Sequence, residues 1–231
     1  MPTFPRGLAF AAVFACTAPL PGQSRAPAPL KVFISIDMEG LAGVVNGSDV
    51  QPRRPDYPYF RTVMAGEANA AIAGAFRAGA TEVVVRDSHG NKDNMIPGDL
   101  DPRARLIRGA STGGKNMMEG IDSTFGAVVF VGFHAKAGTP NAILAHTSTG
   151  NVVDISINGV SLPEGGYNAL VAGLYGVPVV FAAGDRALTG QITGLLGPIE
   201  TVATKYELAG AINGLAPKAA QDAIQIGRAH V

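Results

Sequence analysis

The stretch Lys31-Val32-Phe33-Ile34-Ser35-Ile36-Asp37-Met38-Glu39-Gly40 decides how the rest of the chain is read. A short apolar run rich in β-branched residues, closed by acidic residues and glycine, is the pattern of a buried strand. Side chains alternate along an extended backbone, so Asp37 and Glu39 are expected on the same side at the strand's carboxyl end. Outward from this run, similar ones recur at Thr81–Asp87 (TEVVVRD), Ala127–Phe133 (AVVFVGF) and Pro178–Ala182. Between the first two lies Arg61–Gly79, where Met64, Ala68, Ala71, Ile72, Ala75 and Phe76 recur at helical spacing as one apolar stripe. Strand, helix, strand in that order predicts an α/β fold of three layers, a mostly parallel sheet with helices on both faces and right-handed crossovers. One segment breaks the rhythm: Asn151–Pro163 (NVVDISINGVSLP) alternates around Asn158-Gly159 and predicts an inserted β-hairpin.

In such sheets ligands sit beyond the carboxyl ends of the strands. Two carboxylates on one edge repel and raise each other's pKa unless a cation or base lies between them. An isolated D-x-E ordinarily caps a helix or flanks a turn. Here, however, the second strand ends Arg86-Asp87-Ser88-His89-Gly90 and the third Gly132-Phe133-His134-Ala135-Lys136. The chain has four histidines, and two of them take matching positions just past strand ends, which favours a metal site. Carboxylate oxygens with imidazole nitrogens suit zinc, manganese or cobalt, and ligand type alone does not choose. Glu164, in Leu162-Pro163-Glu164-Gly165-Gly166-Tyr167-Asn168-Ala169, opens a helix and by itself reads as an acidic partner of the helix dipole. His146, in Leu144-Ala145-His146-Thr147, by itself reads as well as a surface-loop histidine.

Taken in order, S-x-D-x-E-G, D-S-H, G-x-H-A, A-H-T and E-x-G-x-N-A resemble the zinc-dependent D-aminopeptidase family, from about Lys31 to the end of the chain. The resemblance implies two divalent metal ions, zinc, with Asp37 bridging them, Glu39 and His89 completing one set and His134 and Glu164 the other. It also implies His146 as the catalytic histidine, short peptides with N-terminal D-amino acids as substrates, and a homo-oligomer for the full-length protein. Three carboxylates against two dications leave one positive charge, which a bound hydroxide would cancel, and metal binding lowers the pKa of water to about 7. His146 would then donate to the developing oxyanion or protonate the leaving amine, with direct attack by its imidazole as the alternative. A non-catalytic exported metal-binding protein would keep the same five ligands.

Composition narrows the rest. With 18 basic and 18 acidic residues the chain announces neither nucleic acid nor an anionic membrane as partner. Arg6 precedes an apolar run from Leu8 to Pro19, and Pro/Ala/Ser-rich sequence follows, so residues 1–27 read as a signal peptide and the protein as exported, periplasmic or secreted. The run falls well short of the roughly 20 residues that span a bilayer, so no stable membrane span is expected. The single cysteine, Cys16, lies in Val13-Phe14-Ala15-Cys16, a distant likeness of a lipoprotein box that leaves lipid anchoring as an alternative. Without this leader the chain has no cysteine, which excludes disulfides and thiolate chemistry. Gly109-Ala110-Ser111-Thr112-Gly113-Gly114-Lys115-Asn116 nearly matches a phosphate-binding loop, the basis of a competing nucleotide-binding reading. Yet Asn116 stands where the magnesium-binding hydroxyl belongs, and the loop comes late in the chain.

Residues 28–204 are thus expected to form the α/β catalytic domain, and 205–225 the start of a truncated C-terminal region with a helix beginning near Tyr206. Residues 226–231 (IGRAHV) match the translation of a common sequencing adapter and are expected to be foreign to the natural protein, which would leave His230 without a role.

Overall fold

Strand β1 (Leu30–Ile36) has no polar face: Val32, Phe33, Ile34, Ser35 and Ile36 are all buried, as they must be in a strand with neighbours on both edges and helices on both faces. The computed structural model that contains it describes residues 29–227. The expected leader, Cys16 and His230 lie outside the described residues. Helix α1 (Tyr57–Arg77) starts four residues ahead of the apolar stripe's predicted onset, with a proline in its first turn, where the missing N–H costs nothing. Met64, Ala68, Ala71, Ile72 and Ala75 are buried against the sheet and Phe76 partly so.

The chain continues through β2 (Ala80–Asp87), β3 (Arg105–Ile107) and β4 (Ala127–Phe133). A small hairpin follows, β5 (Ser156–Ile157) and β6 (Val160–Ser161), then α2 (Glu164–Gly173), β7 (Val179–Asp185) and α3 (Arg186–Leu196). Last come β8 (Glu200–Leu208), β9 (Ala211–Gly214) and α4 (Pro217–Gly227). Seven of these strands form one sheet in the order β3-β2-β1-β4-β7-β8-β9, parallel throughout except that β9 runs against β8. One face carries α1 and α4, the other α2 and α3, which gives the three expected layers. The first three strands build outward from β1 to one side and the later ones outward from β4 to the other. The sheet-forming chain therefore crosses the β1/β4 divide once, in segment 108–126, and this divide is the switch point where ligands gather in open α/β sheets.

At the divide the backbones touch. Gly40 N donates to the Gly132 carbonyl at 2.7 Å, and a Cβ on Gly40 would lie 1.9 Å from the Phe133 carbonyl oxygen. Gly132 itself sits at φ +69° in a break of the β4/β7 register. The predicted hairpin is present, with Asn158 and Gly159 both at positive φ between Ile157 and Val160, as a type I′ turn requires.

The expected helix near Tyr206 is not found: Tyr206 lies within β8, so the boundary drawn between residues 204 and 205 falls inside a strand. Thr201, Val202 and Thr204 favour extended backbone, and β8 is paired on both edges, by β7 and by β9 across the Ala209-Gly210 turn. No helix among the described residues is long and apolar enough to cross a membrane.

Candidate metal centre

Asp37 is the first residue past β1, and its backbone N–H still pairs with the Val131 carbonyl of β4 at 2.9 Å. Glu39 lies in the turn that follows, not on extended strand, so the alternation argument does not apply beyond Ile36. The turn nevertheless returns both carboxylates to one point. His89 Nδ1 lies 3.2 Å from Asp37 Oδ1 and 3.0 Å from Glu39 Oε2. The His89 loop is fixed from below: Asp87 accepts from Asn94 Nδ2 and from the Met95 N–H, and the same Asn94 amide donates to the His89 carbonyl.

Across the divide, His134 is fully buried just past β4, and the next residue's N–H is held by Asp185, which also caps α3 through the Leu188 N–H. His134 Nε2 lies 3.6 Å from Asp37 Oδ2 and 3.5 Å from Glu164 Oε1, and has no hydrogen-bond partner. Glu164 opens α2 and accepts from the Ser148 N–H at 2.7 Å. His146, from the loop before the hairpin, stacks on His134 with ring centroids 4.0 Å apart and places Nε2 3.5 Å from Glu164 Oε1.

Each of the three imidazoles is wired alike. His89 Nε2 faces the Val50 carbonyl at 2.9 Å, His134 Nδ1 that of Ala135 at 3.0 Å, and His146 Nδ1 that of Leu144 at 2.8 Å. A carbonyl only accepts, so these nitrogens carry the protons, and the other nitrogen of each ring turns its lone pair toward carboxylates. Lone pairs facing anions are stable only with a cation between them. In the absence of other cations, protons serve. Burial opposes charge on His89, yet Glu39 and Asp37 push its pKa up to about 11. His134 resists burial in the same way and is raised to about 10, with Glu164, Glu39 and Asp37 as the cause. Burial likewise works against Glu39, but the charge and hydrogen bond of His89 hold it well below the usual carboxylate range.

The six side chains fall into two donor groups, Asp37, Glu39 and His89 on one side and His134, His146 and Glu164 on the other, each compact enough to hold a metal ion. The second group includes His146, which the sequence reading kept apart from the ligands; Asp37 reaches it through Oδ2. A cavity of about 140 Å³ opens on Asp37, Glu39, His89, His146 and Glu164, beside a wider cleft of about 350 Å³ lined by Val50, Gln51, Leu144 and Ala145. Lys92 also lines the smaller cavity and donates to the Ser88 carbonyl; burial pushes its pKa down against the pull of Asp37 and Glu164. No motif or spacing marks Lys92 in the sequence.

The near-match to a phosphate loop is otherwise engaged. Lys115 donates to the Ile121 carbonyl and lies over the Tyr175 ring, Arg86 holds the Gly109 carbonyl, and only a three-residue 3-10 helix follows. No α-helix N-terminus is there to receive a phosphate.

The chain is 38% identical over 189 residues to a D-aminopeptidase of Bacillus subtilis (strain 168), spanning 81% of this chain and 68% of that protein. It is similar, at a TM-score of 0.83 and 35% identity, to the solved Zn-dependent D-aminopeptidase DppA from Bacillus subtilis, described as a self-compartmentalizing protease, over 87% of this chain and 73% of that one. The family model described as D-aminopeptidase (peptidase family M55) matches residues 30–230, and this chain belongs to that family.

Proposed function

We propose that the chain is a dinuclear zinc aminopeptidase that hydrolyses short peptides bearing an N-terminal D-amino acid. One observation carries the two-ion reading: the two oxygens of Asp37 divide between two imidazoles, Oδ1 toward His89 and Oδ2 toward His134. That is the arrangement a bridging carboxylate needs. Glu39 and His89 would complete one ion's ligands, and His134 and Glu164 the other's. The buried, unpartnered Nε2 of His134 fits this role, as does the backbone carbonyl on the far nitrogen of each ring, the usual support of a metal-bound histidine. The family, and the zinc dependence of the structurally similar Bacillus protein, favour zinc.

When bound, the ions would supply Lewis acidity that makes water a nucleophile near neutral pH and polarises the scissile carbonyl. The chain's own residues do the rest. His146 keeps its Nδ1 proton on the Leu144 carbonyl, so Nε2 is free to take or give a proton at the mouth of the cavity. The Leu144 carbonyl and stacking on His134 orient that imidazole, and the Ser148 N–H orients the Glu164 carboxylate beside its Nε2. The cleft beside Leu144 and Val50 would receive the peptide. Export, read from residues 1–27, and a homo-oligomer, in keeping with the self-compartmentalizing relative, complete the proposal.

Elemental analysis with a D-alanyl and an L-alanyl peptide tests it. The wild type should hold two ions per chain, His89→Ala and His134→Ala one each, and Asp37→Ala none, with the D-peptide hydrolysed faster. Full metal retention in all three variants, or no discrimination between the peptides, sinks the corresponding part.

A further inference from the structure

The turn that carries Glu39 has an unusual anchor. Lys205, on β8 and 2% exposed, donates to three backbone carbonyls of that turn: Glu39 at 2.5 Å, Leu41 at 2.9 Å and Val44 at 2.6 Å. Three acceptors use all three N–H bonds of an ammonium; a neutral amine has two. Its neighbour Thr204 donates to the Gly40 carbonyl at 2.6 Å and shares the Gly184 carbonyl at 3.1 Å. From the other face, Glu67 of α1 accepts from the Ala42 N–H at 2.9 Å.

A buried charge is a costly way to fill space, and an apolar side chain of similar volume usually serves stability as well or better. What the ammonium provides that a methionine cannot is direction: one point fixed against three carbonyls spread over residues 39–44. Glu39 O is itself one of those carbonyls, so the clamp acts on the backbone of the very residue whose carboxylate faces His89. The clamp also joins β8, on the β4 side of the divide, to the turn leaving β1.

We infer that Lys205, seconded by Thr204, is a positioning residue that sets the Glu39 carboxylate for the ion on the His89 side, and not for the ion between His134 and Glu164. The inference rests on the two-ion reading above.

The test compares full-length wild type, Lys205→Met and Thr204→Val for ions bound per chain and for the affinity of each ion in a cobalt titration, with melting temperature measured alongside. Lys205→Met should weaken one of the two ions about tenfold or more, as loss of such support does elsewhere, and leave the other within a factor of about three. Thr204→Val should shift the same ion by less. Combining Lys205→Met with His89→Ala, which already lacks that ion, should cost no further metal. Two ions held by Lys205→Met with wild-type affinities overturns the inference; so does equal weakening of both in step with a lower melting temperature, which is what a merely structural lysine would give. Should Lys205→Met not fold, Thr204→Val decides by the same comparison, selective weakening for and uniform or absent weakening against. A wild type that binds fewer than two ions overturns the two-ion reading and the inference with it, a result distinct from failure of the clamp alone.

Discussion

Glu67 is fully buried, one carboxylate oxygen holding the Ala42 N–H and the other without a partner. Burial raises its pKa from the ordinary 4.5 to about 7, against the lowering effect of that hydrogen bond and of Lys205. The folded state therefore binds this proton more tightly than the unfolded one. Its stabilising contribution is complete below pH 4.5 and is lost as pH rises through about 7, a difference of about 3 kcal/mol. Glu67→Gln should raise the urea midpoint at pH 8 and leave little difference at pH 4.5; an effect independent of pH would assign the change to packing instead. Residues such as Glu67 and Lys205 were not legible in the sequence, because a lone charge in a helix or strand reads as its solvent face. Asp37, His89 and His134 were legible because each stands at a strand end inside a motif, whereas Glu164, which by itself reads as a helix-dipole partner, was legible as a ligand only through the family resemblance. His146 was legible only through the family resemblance, since a loop histidine has no periodicity to betray it.

At the level of elements, the close approach of the β1 exit turn to β4 depends on glycine. Gly40→Ala would drive a methyl into the Phe133 carbonyl, and backbone on both sides leaves no flexible neighbour to yield. The expected cost is about 3 kcal/mol or more, at the upper end for a single substitution, read as a lower denaturant midpoint at unchanged slope. Gly79→Ala makes the control: it meets no atom within 4 Å, and its φ of +92° makes backbone strain the only cost, about 1–2 kcal/mol. The four strands read from continuous apolar runs and the Asn158-Gly159 hairpin were recovered because both faces of a parallel strand are buried and because that turn has its own residue chemistry. Strand β8 escaped because its burial is irregular, with exposed or half-buried residues around Thr204 and Lys205, so neither a period of two nor an apolar run stands out.

On the scale of the whole molecule, the parallel three-layer plan followed from element order alone, whereas the pairing of α4 with α1 had no sequence signal, since it joins helices far apart along the chain. Ion binding should be visible at this scale as linkage. Free zinc at a hundredfold excess over its Kd should stabilise the fold by about 2.7 kcal/mol per site, and a chelator should remove that gain, as measured by thermal melting. A melting temperature indifferent to both would count against ions bound to the native state alone. The single crossing of the divide has a mechanical consequence. Asp37, Glu39 and His89 come from one half of the sheet and His134, His146 and Glu164 from the other, so on the two-ion reading the shared Asp37 makes the centre a rivet through a seam. A rivet of that kind is set last and sheared first: ions should slow the parting of β1 from β4 while leaving the rate at which each half assembles almost untouched.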